Sequence, residues 1–201
     1  MRLANADHTS RPWRIHELTP DFRLEDVWAL PVRGGADDFR RLVEMGASFD
    51  PSKAAPLAVR VLAGIRLKVG GMLGWDDPDT GVGGRVPTLR DRLPPDLREG
   101  PRGPDFNALP FKSLYLLHDE WAAEIANRTM HGVIHLSWVA DGDGYRGRLA
   151  VYAKPNGLLG IAYMAAIKPF RHLIVYPQML RGLEKRWEAR MRARDDRPAA
   201  S

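Results

Sequence analysis

Histidine and acidic side chains in the second half of the sequence are the first candidates for chemistry. His131 and His135 have the spacing that, on a helix, sets two imidazoles one turn apart to bind a metal ion. The surrounding residues alternate between apolar and polar, which predicts a β-strand instead. Four residues along a strand separate the imidazoles by about 13 Å, too far for one ion. We therefore predict no metal site, and we expect solvated histidines on a sheet surface.

Two further histidines have neighbours that bear on catalysis. His118 is followed by Asp119 and Glu120, a set that can supply an acid and a base. Its place between two predicted strands favours an ordinary polar turn. His172 follows Pro169 inside an apolar tract, where it either bonds a carbonyl group freed by the proline or points at a ligand. We assign no catalytic residue.

Glycine-rich and acidic stretches indicate no cofactor. Residues 70–74 and 81–84 are rich in glycine, but neither follows a strand, opens a helix and ends in Gly-Lys-Ser/Thr, as a phosphate-binding loop does. The acidic residues at 76–79 lack the later ligands of a calcium loop. With no cysteine in the chain, disulfides, thiolate catalysis and cysteine zinc sites are excluded.

Aromatic and methionine side chains are the best candidates for binding an apolar molecule. On the predicted strands and the helix after them, several lie on the side that faces the core, where they either simply fill the core or line a ligand cavity. Glycines at 132, 147 and 160 would leave room in that space. The candidate ligand-binding residues are Tyr115, Trp121, Met130, Trp138, Tyr145, Tyr163, Met164 and His172.

The first half of the chain predicts one strand, two helices and a long irregular segment. Residues 27–32 have the composition of a short strand, and the apolar spacing predicts helices over about 38–45 and 56–72. Residues 74–111 contain six glycines and seven prolines, so neither a long helix nor a central strand passes through them. We interpret this segment as a long loop and a candidate lid.

The second half predicts a sheet followed by a helix. From Lys112 the apolar residues alternate over four segments, which indicates an antiparallel meander with one buried face. The sequence Asp-Gly-Asp-Gly at 141–144 is a strong hairpin signal. A long helical tract begins at Leu158, and we expect Pro169 and Pro177 to kink or break it.

These elements predict an α+β fold in a single domain over residues 25–194. An irregular segment precedes it at 1–24, and a disordered tail follows at 195–201. The sheet must bury its apolar face, and only the last helix is long enough to cover it. Such a meander gripping a long C-terminal helix, with two short helices after the first strand, resembles the helix-grip or START-like fold of lipid-transfer, polyketide-cyclase and pathogenesis-related proteins.

The C-terminal half carries a closer resemblance. The strings NGLLGIAY at 156–163 and KPFRHLIV at 168–175 are similar to the end of the uncharacterised bacterial family called domain of unknown function 2867, as are the meander and the helix that begins at Phe39. The resemblance implies a helix-grip-like fold and a ligand cavity. It implies no activity and no catalytic residue.

Charge is distributed unevenly along the chain. The formal net charge is +5, and nine basic but only four acidic residues lie from Lys168 onward. A solvated helix end accounts for this excess, and peripheral contact with an anionic membrane is the alternative. We expect no binding to nucleic acid. The N-terminus has no apolar run and the apolar tract near Lys168 is interrupted, so we expect a cytoplasmic protein with neither a secretory signal nor a spanning helix.

The favoured hypothesis is a domain that binds a small apolar molecule, lipid-like or polyketide-like, between the sheet and the C-terminal helix. One alternative is a cyclase or hydrolase that uses the same cavity, with His118 or His172 as its base. The other is an interaction module that acts through the basic C-terminal helix. The oligomeric state is left open.

Overall fold

The computed structural model describes residues 1–50, 82–84 and 86–195. The second predicted helix, over 56–72, lies outside the described residues, as do part of the predicted loop and the last six residues of the chain. Helices and strands are numbered along the described residues.

Five antiparallel strands form one sheet. Their order across the sheet is β1-β5-β4-β3-β2, so that the strand nearest the N-terminus closes one edge. The alternating apolar pattern produces the four later strands, and the glycine-rich turn between β4 and β5 closes the predicted hairpin. The strands are β1 (Arg23–Gly34), β2 (Lys112–Leu116), β3 (Glu120–Ala126), β4 (Met130–Asp141) and β5 (Gly144–Pro155).

Helices lie before, between and after the strands. Most are short, whereas the two C-terminal helices follow one another through a π-helical turn at Arg171–Val175. Single 3-10 turns occur at Ala36–Asp38 and Leu89–Arg92. The α-helices are α1 (Ala6–Thr9), α2 (Ile15–Leu18), α3 (Phe39–Ala47), α4 (Pro95–Glu99), α5 (Gly157–Phe170) and α6 (Tyr176–Asp195).

The prediction of an α+β fold is confirmed. An antiparallel sheet carries a long C-terminal helix, and a short helix, α3, follows the first strand. The strand at the start of the chain is longer than expected, with twelve residues. The helix-grip comparison stays an interpretation of this arrangement.

One side of the sheet, which we call the cavity face, packs against α3 and the C-terminal helix. Its buried residues include Trp121, Leu136 and Leu149 from the strands, with Tyr176 and Trp187 from the helix. The indole of Trp187 donates a 2.8 Å hydrogen bond to the carbonyl oxygen of Arg33, which holds α6 along β1. This is the face that the alternating pattern predicts to be buried.

The other side of the sheet, the N-terminal face, is also buried, so the prediction of a single buried face is wrong. Residues 3–18 and the short helical turns at 89–99 lie across it. The N-terminal segment contributes the buried side chains of Trp13, Ile15 and Leu18. We expected this segment to be irregular, but it contains two short helices, α1 and α2.

The C-terminal helix does not break at its prolines. Pro169 lies inside α5 and Pro177 lies near the start of α6, with the π-helical turn between them. A π turn shifts the hydrogen-bonding partner by one residue; such single turns occur mostly inside α-helices, where they are one cause of kinks. Within the described residues, Gly157–Arg194 is the one helix that is long and apolar enough to cross a membrane, by length and composition only.

Candidate ligand-binding site

A cavity of about 360 Å³ lies between the cavity face and the C-terminal helix. Its floor is made of two rows of cross-strand neighbours. In one row Trp121 of β3 is opposite Leu136 of β4, which is opposite Leu149 of β5. In the next row Ile134 lies opposite Val151. The antiparallel register thus converts alternation along each strand into a continuous apolar floor.

The walls come from three further parts of the chain. The helix α3 and the residues after it form one wall, the segment before β2 forms the second, and the π turn with α6 forms the third. The described lining residues are Leu30, Leu42, Met45, Gly46, Phe49, Phe106, Leu109, Phe111, Trp121, Ile134, Leu136, Leu149, Val151, Arg171, Val175, Tyr176, Met179, Leu183 and Arg186.

The segment before β2 belongs to the predicted long loop, and part of it reaches the cavity. The ring of Phe106 stacks on Trp121 with centroids 5.7 Å apart, and Phe111 lies 5.1 Å from Phe106. The indole nitrogen of Trp121 donates a 2.6 Å hydrogen bond to Ser113, which fixes its ring. Whether this segment moves as a lid stays a prediction.

Two arginines bring positive charge to the otherwise apolar walls. Arg171 is engaged, because its guanidinium lies 2.8 Å from Asp26 and 3.7 Å from Glu25. Arg186 is half-buried and makes a 3.3 Å contact with the hydroxyl of Ser48. No carboxylate among the described residues pairs with Arg186.

Asp26 is a buried charge at the edge of this site that the sequence analysis missed. Its carboxylate is fully buried and lies within 2.8 Å of Arg171 and 2.7 Å of the His172 Nε2. The hydroxyl of Tyr176 donates a 3.1 Å hydrogen bond to it. Burial, with the nearby charge of Asp26 adding to it, raises the pKa of Tyr176, so this phenol stays a donor at neutral pH.

A sequence signal for Asp26 does exist. Trp28, Leu30 and Val32 alternate on the cavity face, and the same alternation extended back by two residues places Asp26 on that face. In the sheet Asp26 lies opposite Val151, which lines the cavity. The predicted strand began at Val27, one residue too late to include it.

Of the candidate ligand-binding residues, Trp121 lines the cavity, as part of its floor. Tyr115 lies on the N-terminal face, contrary to the expectation that it shares a side with Trp121. A register shift between Ser113 and Tyr115 turns the rest of β2 over, because one extra residue reverses the alternation.

The other candidates do not line the cavity. Trp138 and Tyr145 stack on each other with ring centroids 6.4 Å apart. Met130 is half-buried at the start of β4. On α5, Tyr163 is half-buried and Met164 is buried.

His172 does not line the cavity either. It pairs with Asp26 and lies beside the ring of Tyr176, which does line it. His172 therefore faces a carboxylate, and of the two alternatives that we considered, contact with a ligand stays a prediction.

The glycines expected to leave room for a ligand serve close packing. A Cβ at Gly147 would lie 2.8 Å from a methyl carbon of Leu42, so this glycine lets α3 approach β5. A Cβ at Gly160 would collide with the carbonyl oxygen of Thr129, so that glycine lets α5 rest on the turn between β3 and β4.

The expectation that the strand histidines are solvated is wrong. His131 is 4% exposed and His135 is fully buried, because the N-terminal segment and the 89–99 turns cover them. His131 lies 2.8 Å from a carboxylate oxygen of Glu124, and His135 lies 2.9 Å from one of Glu120. Both pairs are on the N-terminal face, away from the cavity, as the strand alternation predicts.

The Glu120 carboxylate is the centre of this polar layer. It accepts hydrogen bonds from the hydroxyl of Tyr115 at 3.0 Å, from His135, and from the backbone N–H of Arg14 at 3.1 Å. Burial by itself raises the pKa of Glu120, but these donors outweigh it and the net pKa is lower than usual. Burial lowers the pKa of His135, which is therefore neutral and donates its Nε2 proton to the carboxylate.

A second set of polar contacts ties the N-terminal segment to β5. The imidazole of His8 lies 2.8 Å from the hydroxyl of Tyr152, and His16 lies 3.3 Å from the same hydroxyl. Burial, followed by the nearby His135 and His16, lowers the pKa of His8 to about 2. These contacts fasten the segment to the sheet. No group of three or more side chains suited to a metal ion occurs within the described ranges.

The sequence profile of one protein family spans the sheet and most of the cavity walls. The profile described as "Protein of unknown function (DUF2867)" matches residues 18–178. The chain belongs to this family. The DUF2867 match includes every strand, Asp26 and the π turn, so the resemblance expected from the C-terminal strings is confirmed. No curated protein and no solved structure matches the chain. The family description supplies neither an activity nor a ligand.

Proposed function

We propose that this DUF2867 domain binds a small, largely apolar molecule with one acidic group in the cavity between the sheet and the C-terminal helix. The observation that carries the proposal is the cavity of about 360 Å³ with its almost wholly apolar wall. Its volume falls in the range of ligand sites, which are mostly apolar with a few well-placed polar groups. Burial of apolar ligand surface would supply about 25 cal/mol per Å².

Arg186 is the residue that favours an acidic group on the ligand. It lies on the wall, and its described neighbours are a hydroxyl and the ring of Phe49, whose centroid is 6.0 Å from the guanidinium carbon. Arg171, by contrast, already faces Asp26 and Glu25. A guanidinium inside an apolar site binds a carboxylate more strongly than it would in water.

The side chains that line the cavity support a binding function better than a catalytic one. Among the described lining residues, the titratable side chains are Arg171, Arg186 and Tyr176. Of the two histidines considered as bases, the side chain of His118 is 89% exposed and His172 pairs with Asp26. A cyclase or hydrolase would require a base on the wall, and we therefore propose a binding protein. A cytoplasmic location stays part of this proposal.

The first test is calorimetric titration of the full chain with decanoate and with decanol. We expect micromolar or tighter binding of decanoate and weaker binding of decanol. Arg186→Gln should remove most of the preference for decanoate and leave the affinity for decanol within about twofold, because only the acidic group contacts this residue.

Two tryptophan substitutions on one helix test the location. Met179→Trp fills the cavity, and we expect it to weaken decanoate binding at least tenfold. Met191→Trp is the matched control, since Met191 is on the same helix and packs against the core without lining the cavity. Wild-type protein that binds neither compound, or a Met179→Trp variant that binds as wild type does, would contradict the proposal.

A further inference from the structure

The helix α5 is apolar around its whole circumference, yet the domain buries little of it. Its fourteen residues, Gly157–Phe170, include a single charged residue, Lys168. Gly160 and Met164 are its buried residues. A helix that is hydrophobic on all sides normally lies in a protein core or in a membrane.

The outward side of α5 carries large aliphatic side chains. Leu158 is 85% exposed, Ile161 is 56% exposed, and Leu173, in the π turn that follows, is 76% exposed. The residues between them on that side are exposed too, so the exposed apolar surface is continuous. We call this surface the apolar stripe, and it comprises Leu158, Ile161, Ala162, Ala165, Ala166, Pro169 and Leu173.

The length of the uncharged run fits a helix lying in a membrane surface. Residues 157–167 carry no charge, and eleven residues extend about 16 Å along a helix. A spanning helix needs about 20 apolar residues, whereas runs of this length occur in interfacial segments. The most apolar window of the Gly157–Arg194 helix has a mean hydropathy of 1.4, and 11% of it is buried inside the protein.

Positive charge follows directly after the uncharged run. Lys168 is exposed one turn beyond Ala165, and Arg181 and Lys185 are exposed further along the helix. No carboxylate in the described part of the chain pairs with these three cations. The excess positive charge of the whole chain begins at Lys168. This combination is complementary to an anionic lipid surface, which attracts basic groups beside an inserted apolar segment.

We propose that α5 docks this protein on anionic phospholipid membranes, with the apolar stripe among the acyl chains and the following cations at the lipid phosphates. A second copy of the chain fits the stripe less well, because a stable dimer interface takes about 20–30 residues a side and the stripe has seven. The docking is independent of the proposed ligand, since Leu158 and Ile161 do not line the cavity.

The test is co-sedimentation of the full chain with vesicles of phosphatidylcholine and phosphatidylglycerol at 7:3. Leu158→Glu/Ile161→Glu should reduce the bound fraction at least tenfold. Ala189→Glu/Ala193→Glu is the matched control: it makes the same change in net charge at exposed positions on α6, and we expect a reduction of less than threefold. Vesicles of phosphatidylcholine alone should bind severalfold less protein.

Three outcomes would overturn the proposal. Wild-type protein that stays in the supernatant excludes docking, and a Leu158→Glu/Ile161→Glu variant that binds as wild type does excludes α5. A concentration-dependent dimer in analytical ultracentrifugation, dissociated by the same double variant and without vesicle binding, would assign the stripe to a second copy. Decanoate titration and circular dichroism of the variant separate these results from a failed cavity or a failed fold, since neither should change.

Discussion

At the scale of single residues, Asp26 has the greatest consequence for the site. It is fully buried, and the partners that make its charge tolerable come from chain segments far from it in sequence. Arg171 and His172 lie on the π turn of the C-terminal helix, and Arg2 lies at the other end of the chain, 3.5 Å away. A buried charge is stable only when it is paired and hydrogen-bonded.

Replacement of Asp26 by asparagine should therefore destabilise the protein strongly. The substitution keeps the size of the side chain but leaves Arg171 without its counter-charge, and we expect the free energy of unfolding to fall by about 3 kcal/mol. Urea denaturation measures it. Asp37→Asn, at an exposed position, is the control and should change it by less than about 0.5 kcal/mol. A loss below about 1 kcal/mol at Asp26 would show that the pairing contributes little.

At the scale of elements, the C-terminal helix depends on close approach at its first turns. Gly160 brings α5 against the backbone of Thr129, and the backbone N–H of Asn156 donates to the same Thr129 carbonyl at 2.8 Å. The start of the helix is thus tied to the turn between β3 and β4. Further along, a Cβ at Gly182 in α6 would have no atom within 4 Å beyond its chain neighbours and the backbone of its own helix.

The two glycines should respond in opposite ways to the same substitution. Gly160→Ala forces α5 away from Thr129, and we expect a loss of about 2 kcal/mol, since backbone must move. Gly182→Ala fills open space and raises helix propensity, and we expect a gain of up to about 1 kcal/mol. Thermal unfolding followed by circular dichroism compares the pair. Equal effects of the two changes would contradict the packing described for Gly160.

At the scale of the whole molecule, the sheet is buried on two unlike faces. The cavity face carries an incompletely filled apolar space, and the N-terminal face carries carboxylate, imidazole and phenol groups bonded to one another. Glu120, His135 and His8 belong to this second layer. Their ionisation states therefore control how firmly the N-terminal segment covers the sheet.

Acid should weaken the whole fold through this layer. The pKa values of His8 and His135 are lower in the folded protein than in the unfolded chain, so below about pH 6.5 the unfolded chain binds more protons and the free energy of unfolding decreases. Each such histidine contributes a slope of up to about 1.4 kcal/mol per pH unit. The lowered pKa of Glu120 acts in the same direction below about pH 4.5.

Urea unfolding between pH 8 and pH 4.5 measures this dependence. His8→Gln removes one of the titrating groups, so its free energy of unfolding should fall less steeply with decreasing pH than that of the wild type. His118→Gln is the matched control, since His118 is exposed, and its slope should equal the wild-type slope. A wild-type free energy of unfolding that is constant over this range would contradict the assignment of neutral, buried histidines.

Local periodicity in the sequence was sufficient to predict which strand residues form much of the cavity floor. Alternation along β3, β4 and β5 places Trp121, Leu136 and Leu149 on one face whatever the rest of the chain does, because successive strand residues point to opposite sides. The hairpin at 141–144, the helix α3 and the α+β class follow from equally local signals. These features can be predicted from the amino-acid sequence alone.

The remaining features of the site could not be predicted from local patterns, because they depend on contacts between residues that are distant in sequence. No pattern within residues 1–24 indicates that they cover the strand histidines, since a solvated and a covered polar face have the same alternation. One extra residue in β2 moved Tyr115 to the far side of the sheet. The partners of Asp26 include Arg171 and Tyr176, which lie 145 and 150 residues away in the sequence. Only the folded chain brings this carboxylate together with the guanidinium and the hydroxyl.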